Sequence, residues 1–222
     1  MKEWFGWHFL QKDRRLRWGT QEVVETGKTY TVKGKLEMCY NGLHASARAI
    51  DALLYAPGPI VCRVELLGER IDEEDKSVAQ KRRVIVMADA TQVLHEFSCH
   101  CATAALCLAE IKDKRYWHAI EAKWSWLRGD ITDAELALAR SAARSAVSDG
   151  PGDPGWDAAW YVAWAVARDH ARDAAGAAAR AAAFSALLDT VRNEQNDLLE
   201  DMLSELLKLP KLPKRLVRKY AK

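Results

Sequence analysis

The chain has 222 residues, of which 49% are hydrophobic and 29% are charged, and its formal net charge is +2. Such values are typical of a soluble globular protein with one large domain or two small ones. They exclude a chain that binds nucleic acid through its overall charge alone. No apolar run is long enough for a signal peptide or a membrane-spanning helix, so we expect a cytoplasmic protein without membrane contact. The five cysteines are an odd number and indicate reduced thiols.

Residues 1–88 are predicted to form a mixed α/β domain. The aromatic-rich segment WFGWHFL is predicted as a strand, and alternating apolar and polar residues predict strands in KTYTV and KLEMC. Helical spacing follows in ARAIDALLY, with Ser46 as the expected N-cap and the prolines of APGP as the end. The segment IVCRVELLGE has the clearest strand pattern; ERIDEEDKSVAQ is predicted as an acidic loop and RRVIVMA as a further strand.

Residues 89–210 are predicted to form an alanine- and tryptophan-rich helical domain. Thr132–Glu135 has the sequence of a capping box, in which the threonine hydroxyl and the glutamate carboxylate cap each other's backbone amides. The helix that it opens is expected to end near Val147, and helix is again predicted from Trp156 to about Leu209. Residues 211–222 form a basic C-terminal tail. The predicted fold class is therefore α+β, a small N-terminal β-rich domain with one short helix followed by an α-helical hairpin or bundle.

Two features of the second half are candidates for partner binding. Trp156, Trp160 and Trp164 recur every four residues and form one stripe on a helix. The pattern favours the core seam of a helical hairpin, and an exposed partner-binding ridge is the alternative. The tail carries Lys211, Lys214, Arg215, Arg218 and Lys219. A solvated tail is the simpler interpretation, and contact with phosphate backbones is the other.

Residues that could support chemistry are few. HEFSCHC contains ligand types that zinc prefers, but it lacks CxxC spacing, and its side chains point to different faces of a helix, so we expect no metal site. His8 lies on a predicted strand and His44 lies where another ends, so the two could line one cleft. A structural role for His44 at a strand end is the simpler interpretation. The acid that a histidine-based site needs could be Glu65 or Glu69, on or just after the clearest strand.

The order GKTYTVKGKLEMCYNGLHAS, AIDALLY, CRVELLGE and EEDKSVAQKRRVIV resembles an uncharacterised domain of hypothetical proteins from bacteriophages and bacteria. The most specific pieces are residues 42–45 and 75–79, and the similarity covers roughly residues 4–88. The resemblance implies a phage or mobile-element setting and binding of a host component. The strand–histidine–helix order is also similar to that of ADP-ribosyltransferase folds, which implies that His8 and Glu65 or Glu69 would handle NAD.

The leading hypothesis from the sequence is a non-enzymatic interaction protein without a cofactor. It binds a host or defence protein or a nucleoprotein complex, and inhibition of a bacterial defence system, in the manner of an anti-CRISPR protein, is one form of that activity. The alternative is an NAD-using enzyme, either an ADP-ribosyltransferase or a glycohydrolase. A third interpretation is an assembly subunit whose helices oligomerise, and the oligomeric state is left open.

Overall fold

The computed structural model of the protein describes residues 3–16, 21–108, 110–149 and 189–210. An antiparallel sheet with a short helix is followed by helices, which confirms the α+β prediction. The strands are β1 (Trp4–Leu10), β2 (Thr29–Thr31), β3 (Leu43–Ala45), β4 (Ile60–Asp72) and β5 (Ser77–Asp89). The helices are α1 (Ala49–Leu54), α2 (Thr91–Leu108), α3 (Lys114–Arg128), α4 (Asp133–Asp149) and α5 (Asp189–Leu206). The predicted tryptophan stripe and the basic tail lie outside the described residues.

The strand predictions hold for most segments and fail for two. β4 and β5 continue into the predicted acidic loop and form one long hairpin, whose turn is closed by a 2.8 Å hydrogen bond from the Glu73 amide to the Lys76 carbonyl. KLEMC is not a strand. Residues 38–40 form a turn in which Cys39 adopts a left-handed conformation with φ of 67°, so the alternation there does not reflect a pleated chain.

The sheet curls back on itself. Its order is β1-β4-β5-β2, and β3 pairs with β5 beside β2. The β4–β5 register shifts twice, and Gly68 takes a left-handed conformation at the second shift; such bulges bend a strand and increase its twist. The curl brings the end of β3 to β1, where Trp7 and Ser46 exchange two backbone hydrogen bonds of 2.8 and 3.0 Å. One face of the sheet is therefore concave.

The other face packs against helices. Trp7, Phe9 and Val61 contact the apolar faces of α1, α2 and α5 in one core cluster. α2 also forms a second core with α3 and α4. Because the first cluster contains residues from both sides of residue 88, the buried core is continuous across the point where the sequence changes from strand to helix. The capping box before α4 is confirmed: the Thr132 amide donates to Glu135 Oε2 at 2.8 Å, and the Glu135 amide donates to Thr132 Oγ1 at 3.3 Å.

The first turn of α1 is capped from a distant part of the chain. The prediction that Ser46 caps this helix is wrong, because the N-cap position is Arg48 and no side chain there accepts a hydrogen bond. Instead Glu200 and Asn196 of α5 accept from the amides of Ala49 and Ile50, at 3.1 and 3.2 Å. α5 therefore completes both the core and the backbone hydrogen bonding of the N-terminal half. Within the described ranges, no helix is both long enough and apolar enough to span a bilayer.

Candidate functional site

A cavity of about 730 Å³ lies on the concave face of the sheet. Its walls come from β1, β2, β3 and the loops that precede β2 and β3, with Arg82 of β5 and Lys76 of the β4–β5 turn completing it. The volume falls in the range of small-molecule sites, roughly 300–1,000 Å³. Leu10, Leu16 and Val32 give it apolar walls, and polar and charged side chains make up about half of the residues that line it.

Arg82 is the buried charged residue of this cavity. In β5 it lies opposite Tyr30 of β2 and Leu66 of β4, and the pleat directs it to the same face as Val84, two residues further along the strand. Its side chain is 2% exposed, and Nη1 donates to the carbonyl of His44 at 2.7 Å. Its Nε has no hydrogen-bond partner, and no carboxylate among the described residues forms an ion pair with it. Burial lowers the pKa of Arg82 to about 10, so it remains charged at neutral pH.

His8 and His44 line the same cavity. Loss of hydration lowers the pKa of His8 well below its usual value, and the charge of Arg82 and the proximity of His44 add to the effect. The pKa of His44 is lowered for the same reason, first by burial and then by Arg82 and Lys76. Nε2 of His44 accepts a hydrogen bond from the Cys39 amide at 3.1 Å, so its neutral form carries the proton on Nδ1. Both imidazoles are therefore neutral near pH 7.

Gly42 fixes the position of β3 and hence of His44. Its φ is 145°, and a Cβ atom at this position would collide with Cγ2 of Val78 on β5. Only glycine allows the chain to approach β5 this closely at the start of the strand. The close contact of the GLH segment with Val78 therefore depends on glycine at residue 42.

Most of the charged groups around the cavity are basic. Besides Arg82, the lining contains Lys76, whose ammonium lies 3.5 Å from the Tyr55 hydroxyl and 3.4 Å from Glu73. The lining includes one carboxylate, Glu22, which is held by Lys28 at 2.6 Å. The lining therefore contains more cationic than acidic side chains, and its one carboxylate is already paired with Lys28.

The two acids proposed for a histidine-based site do not line this cavity. Glu65 is buried and pairs with Arg83 Nη2 at 2.7 Å; it alternates with Val64 and Leu66, which belong to the concave side. Glu69 is exposed near the second register shift and accepts a hydrogen bond from Gln80 at 3.3 Å. The structure brings His8 and His44 together and leaves Glu65 and Glu69 elsewhere.

Sequence reasoning missed Arg82, Lys76, Tyr30 and Tyr55. The local signal for Arg82 was present, because KRR at residues 81–83 is an unusual start for a strand that continues VIVMA. Strand alternation places the middle residue of such a triplet on the face opposite its two neighbours. Which face is buried depends on pairing with β2 and β3, and the local sequence does not determine that pairing.

Histidines and cysteines elsewhere in the described chain have structural surroundings. His95 is buried and meets Trp126 edge-on, with ring centroids 5.7 Å apart. Burial raises the pKa of the Cys99 and Cys101 thiols to about 12, and all five cysteines are free. Across the described ranges, no three histidine, cysteine or acidic side chains are grouped so that they could hold a metal ion.

Comparison with known proteins identifies one family. No curated protein and no solved structure matches the chain. Residues 7–96, which run from β1 into α2 and include His8, His44 and Arg82, match the family described as Domain of unknown function (DUF7666). Residues 7–96 are therefore similar to an uncharacterised domain, and the cavity lies within the matched residues.

Proposed function

We propose that this chain is a non-enzymatic binding protein and that the cavity on its sheet receives an anionic group. The observation that carries the proposal is Arg82, a buried cation with an unpaired Nε–H and no acidic partner among the described residues. Burying such a group is costly unless it is paired. A bound anion would supply the missing partner, and the positive lining would attract it.

The test is ligand-induced stabilisation. A ligand that binds only the folded state raises the melting temperature by mass action. Wild type and Arg82→Met are heated in the presence of phosphate, sulfate and small carboxylates, with Arg128→Met on α3 as a control that removes the same charge from an exposed site. We expect at least one anion to stabilise wild type and Arg128→Met but not Arg82→Met. Equal shifts in all three proteins would refute a site at Arg82.

The wider proposal concerns the setting in which binding occurs. Residues 42–45 and 75–79 are similar to a domain of phage and bacterial proteins. This similarity supports a phage or mobile-element protein that acts in the cytoplasm on a host macromolecule. Inhibition of a defence system is one form of that action. A pull-down from bacterial lysate should recover a stoichiometric partner. If that partner contains nucleic acid, removal of residues 208–222 should weaken binding and flatten its salt dependence. Failure to recover any partner under several conditions would count against this part.

An NAD-using enzyme is the second candidate, because His8 and His44 share one cavity. Such chemistry needs a carboxylate to stabilise an oxocarbenium-like transition state, and Glu22, which lines the cavity, is engaged by Lys28. The measurement is nicotinamide release from NAD by wild type, His44→Ala and Glu65→Ala. The binding-protein proposal predicts no release. Release that is lost in His44→Ala would establish the enzyme instead.

A further inference from the structure

The donors of Arg82 define what part of a ligand the cavity can hold. A guanidinium has five N–H donors in a planar fork, which matches two oxygens of a carboxylate or phosphate at once. The fold uses Nη1 for the His44 carbonyl and leaves Nε without a partner. Because this fork is buried and lines the cavity, its electrostatic attraction for an oxyanion is stronger than it would be in water.

The groups around Arg82 favour a ligand with two negative charges. His8 and His44 lie close enough to Arg82 that its charge disfavours their protonation. A monoanion would compensate Arg82 alone. A dianion would compensate Arg82 and also favour the protonated form of one imidazole, so the cluster gains a second charge-assisted contact. Phosphate monoesters carry close to two charges near neutral pH, whereas carboxylates and phosphate diesters carry one.

The remaining volume requires more than the oxyanion. Besides Arg82, the lining includes Leu10, Val32, Leu43, Tyr55 and Pro57. A cavity of about 730 Å³ that is walled mainly by apolar and aromatic groups fits an organic body. Tyr30 lies opposite Arg82, and its hydroxyl is already engaged by the Glu25 amide at 2.8 Å, so its ring is held as a fixed wall.

We propose that the ligand of this cavity is a phosphate monoester with an apolar or aromatic body, whose phosphate docks on Arg82 beside His8. This assignment deepens the proposed binding function and rests on it. It names the ligand class and the residues that recognise each part: Arg82 and the His8 imidazole hold the phosphate, and the leucine, valine and tyrosine walls hold the body.

The test is calorimetric titration of the full chain with a matched set of probes. Phenyl phosphate has the dianion and the body, phenylacetate has the body with one charge, and inorganic phosphate has the charge without the body. We expect phenyl phosphate to bind wild type at least tenfold more tightly than either of the other two. Arg82→Met should weaken phenyl phosphate binding at least tenfold, and Arg128→Met should leave it unchanged.

The outcomes separate the two proposals. If phenylacetate binds at least as tightly as phenyl phosphate, and Arg82→Met abolishes that binding, the monoester assignment is wrong and the anion-binding function stands. If inorganic phosphate binds as tightly as phenyl phosphate, the organic body is not recognised and the assignment is again wrong. If none of the probes binds, or if Arg82→Met binds phenyl phosphate as wild type does, both proposals fail.

Discussion

Replacing Arg82 with methionine should leave the free protein as stable as wild type or make it more stable. Burial lowers the pKa of Arg82 to about 10, and at about 1.4 kcal/mol per pKa unit this corresponds to a cost of about 3 kcal/mol for keeping the charge inside. Methionine retains an unbranched side chain without the charge. It loses the hydrogen bond to the His44 carbonyl, a charged bond worth about 1.5–3 kcal/mol. The net change expected is between zero and about 2 kcal/mol in favour of the variant.

The adjacent residue offers a matched control with the opposite sign. Arg83 lies on the other face of β5 and pairs with Glu65, which is 5% exposed. Arg83→Met leaves that carboxylate buried without its cation, and removing one partner of a buried pair is strongly destabilising. Because Arg83 itself is half exposed, solvent screening reduces the effect, and we expect a loss of about 1–3 kcal/mol.

The assay is urea unfolding of wild type, Arg82→Met and Arg83→Met at pH 7.5, with the free energy extrapolated to zero denaturant. The account predicts no loss of stability for Arg82→Met and a clear loss for Arg83→Met. If Arg82→Met instead loses 3 kcal/mol or more, Arg82 is a structural residue whose environment already compensates its charge. That result would remove the physical reason for an anion site.

Three further changes test the rest of the structure. The pKa values of His8 and His44 are lowered in the folded state, so the unfolded chain binds these protons more tightly. The stability that they contribute should be fully present above about pH 6.5 and fall below it, by up to about 1.4 kcal/mol per pH unit for each histidine. The urea midpoint should fall less steeply with decreasing pH in His8→Gln and His44→Gln. Gly42→Ala should destabilise the protein by about 2 kcal/mol or more, because the new methyl group meets Val78 and the backbone is left-handed there. A melting temperature equal to that of wild type would mean that β3 can move away from Val78 at no cost. A chain ending at residue 149 lacks α5 and with it Leu199 and Leu203 of the core. It should show the broad, weakly cooperative unfolding of an incomplete core. A sharp melt at the wild-type temperature would show that α5 is dispensable.

Arg82 also illustrates how a functional site departs from the rules that build a core. Buried charges are normally paired, and Asp51 follows that rule through Arg192 at 2.8 Å. Arg82 does not follow it with any described carboxylate. Sites at which a local rule is broken without structural compensation are where function is expected.

Local patterns were sufficient for much of the fold. β1, the β4–β5 hairpin and the capping box at Thr132 follow from alternation and from one short motif, because their determinants are neighbours in sequence. The short helix α1 was also expected, but its cap was not, because the acceptors Asn196 and Glu200 lie about 150 residues further along the chain. Contacts of that separation leave no local pattern to detect.

The site was only partly accessible to sequence reasoning. The sequence suggested that His8 and His44 could line one cleft, and the structure places both on the cavity, although His44 lies on β3, which was not predicted as a strand. Arg82 could not be distinguished from Lys81 and Arg83, because the choice depends on which face of β5 is covered by β2 and β3. Glu65 was selected for its position on the clearest strand, yet strand alternation directs it to the face opposite the cavity.

The side-chain Nε–H of Arg82 gives the most direct test of the central claim that this residue holds an anion. Its nitrogen is unpaired in the free protein, so a bound oxyanion should change its chemical environment more than that of any other arginine. The measurement is the arginine Nε–H region of a proton–nitrogen correlation spectrum during titration with phenyl phosphate, with Arg82→Met to assign the signal. The account predicts a large, saturable shift of the Arg82 signal and little change elsewhere. A signal that stays in place at saturating ligand, while others move, would contradict it.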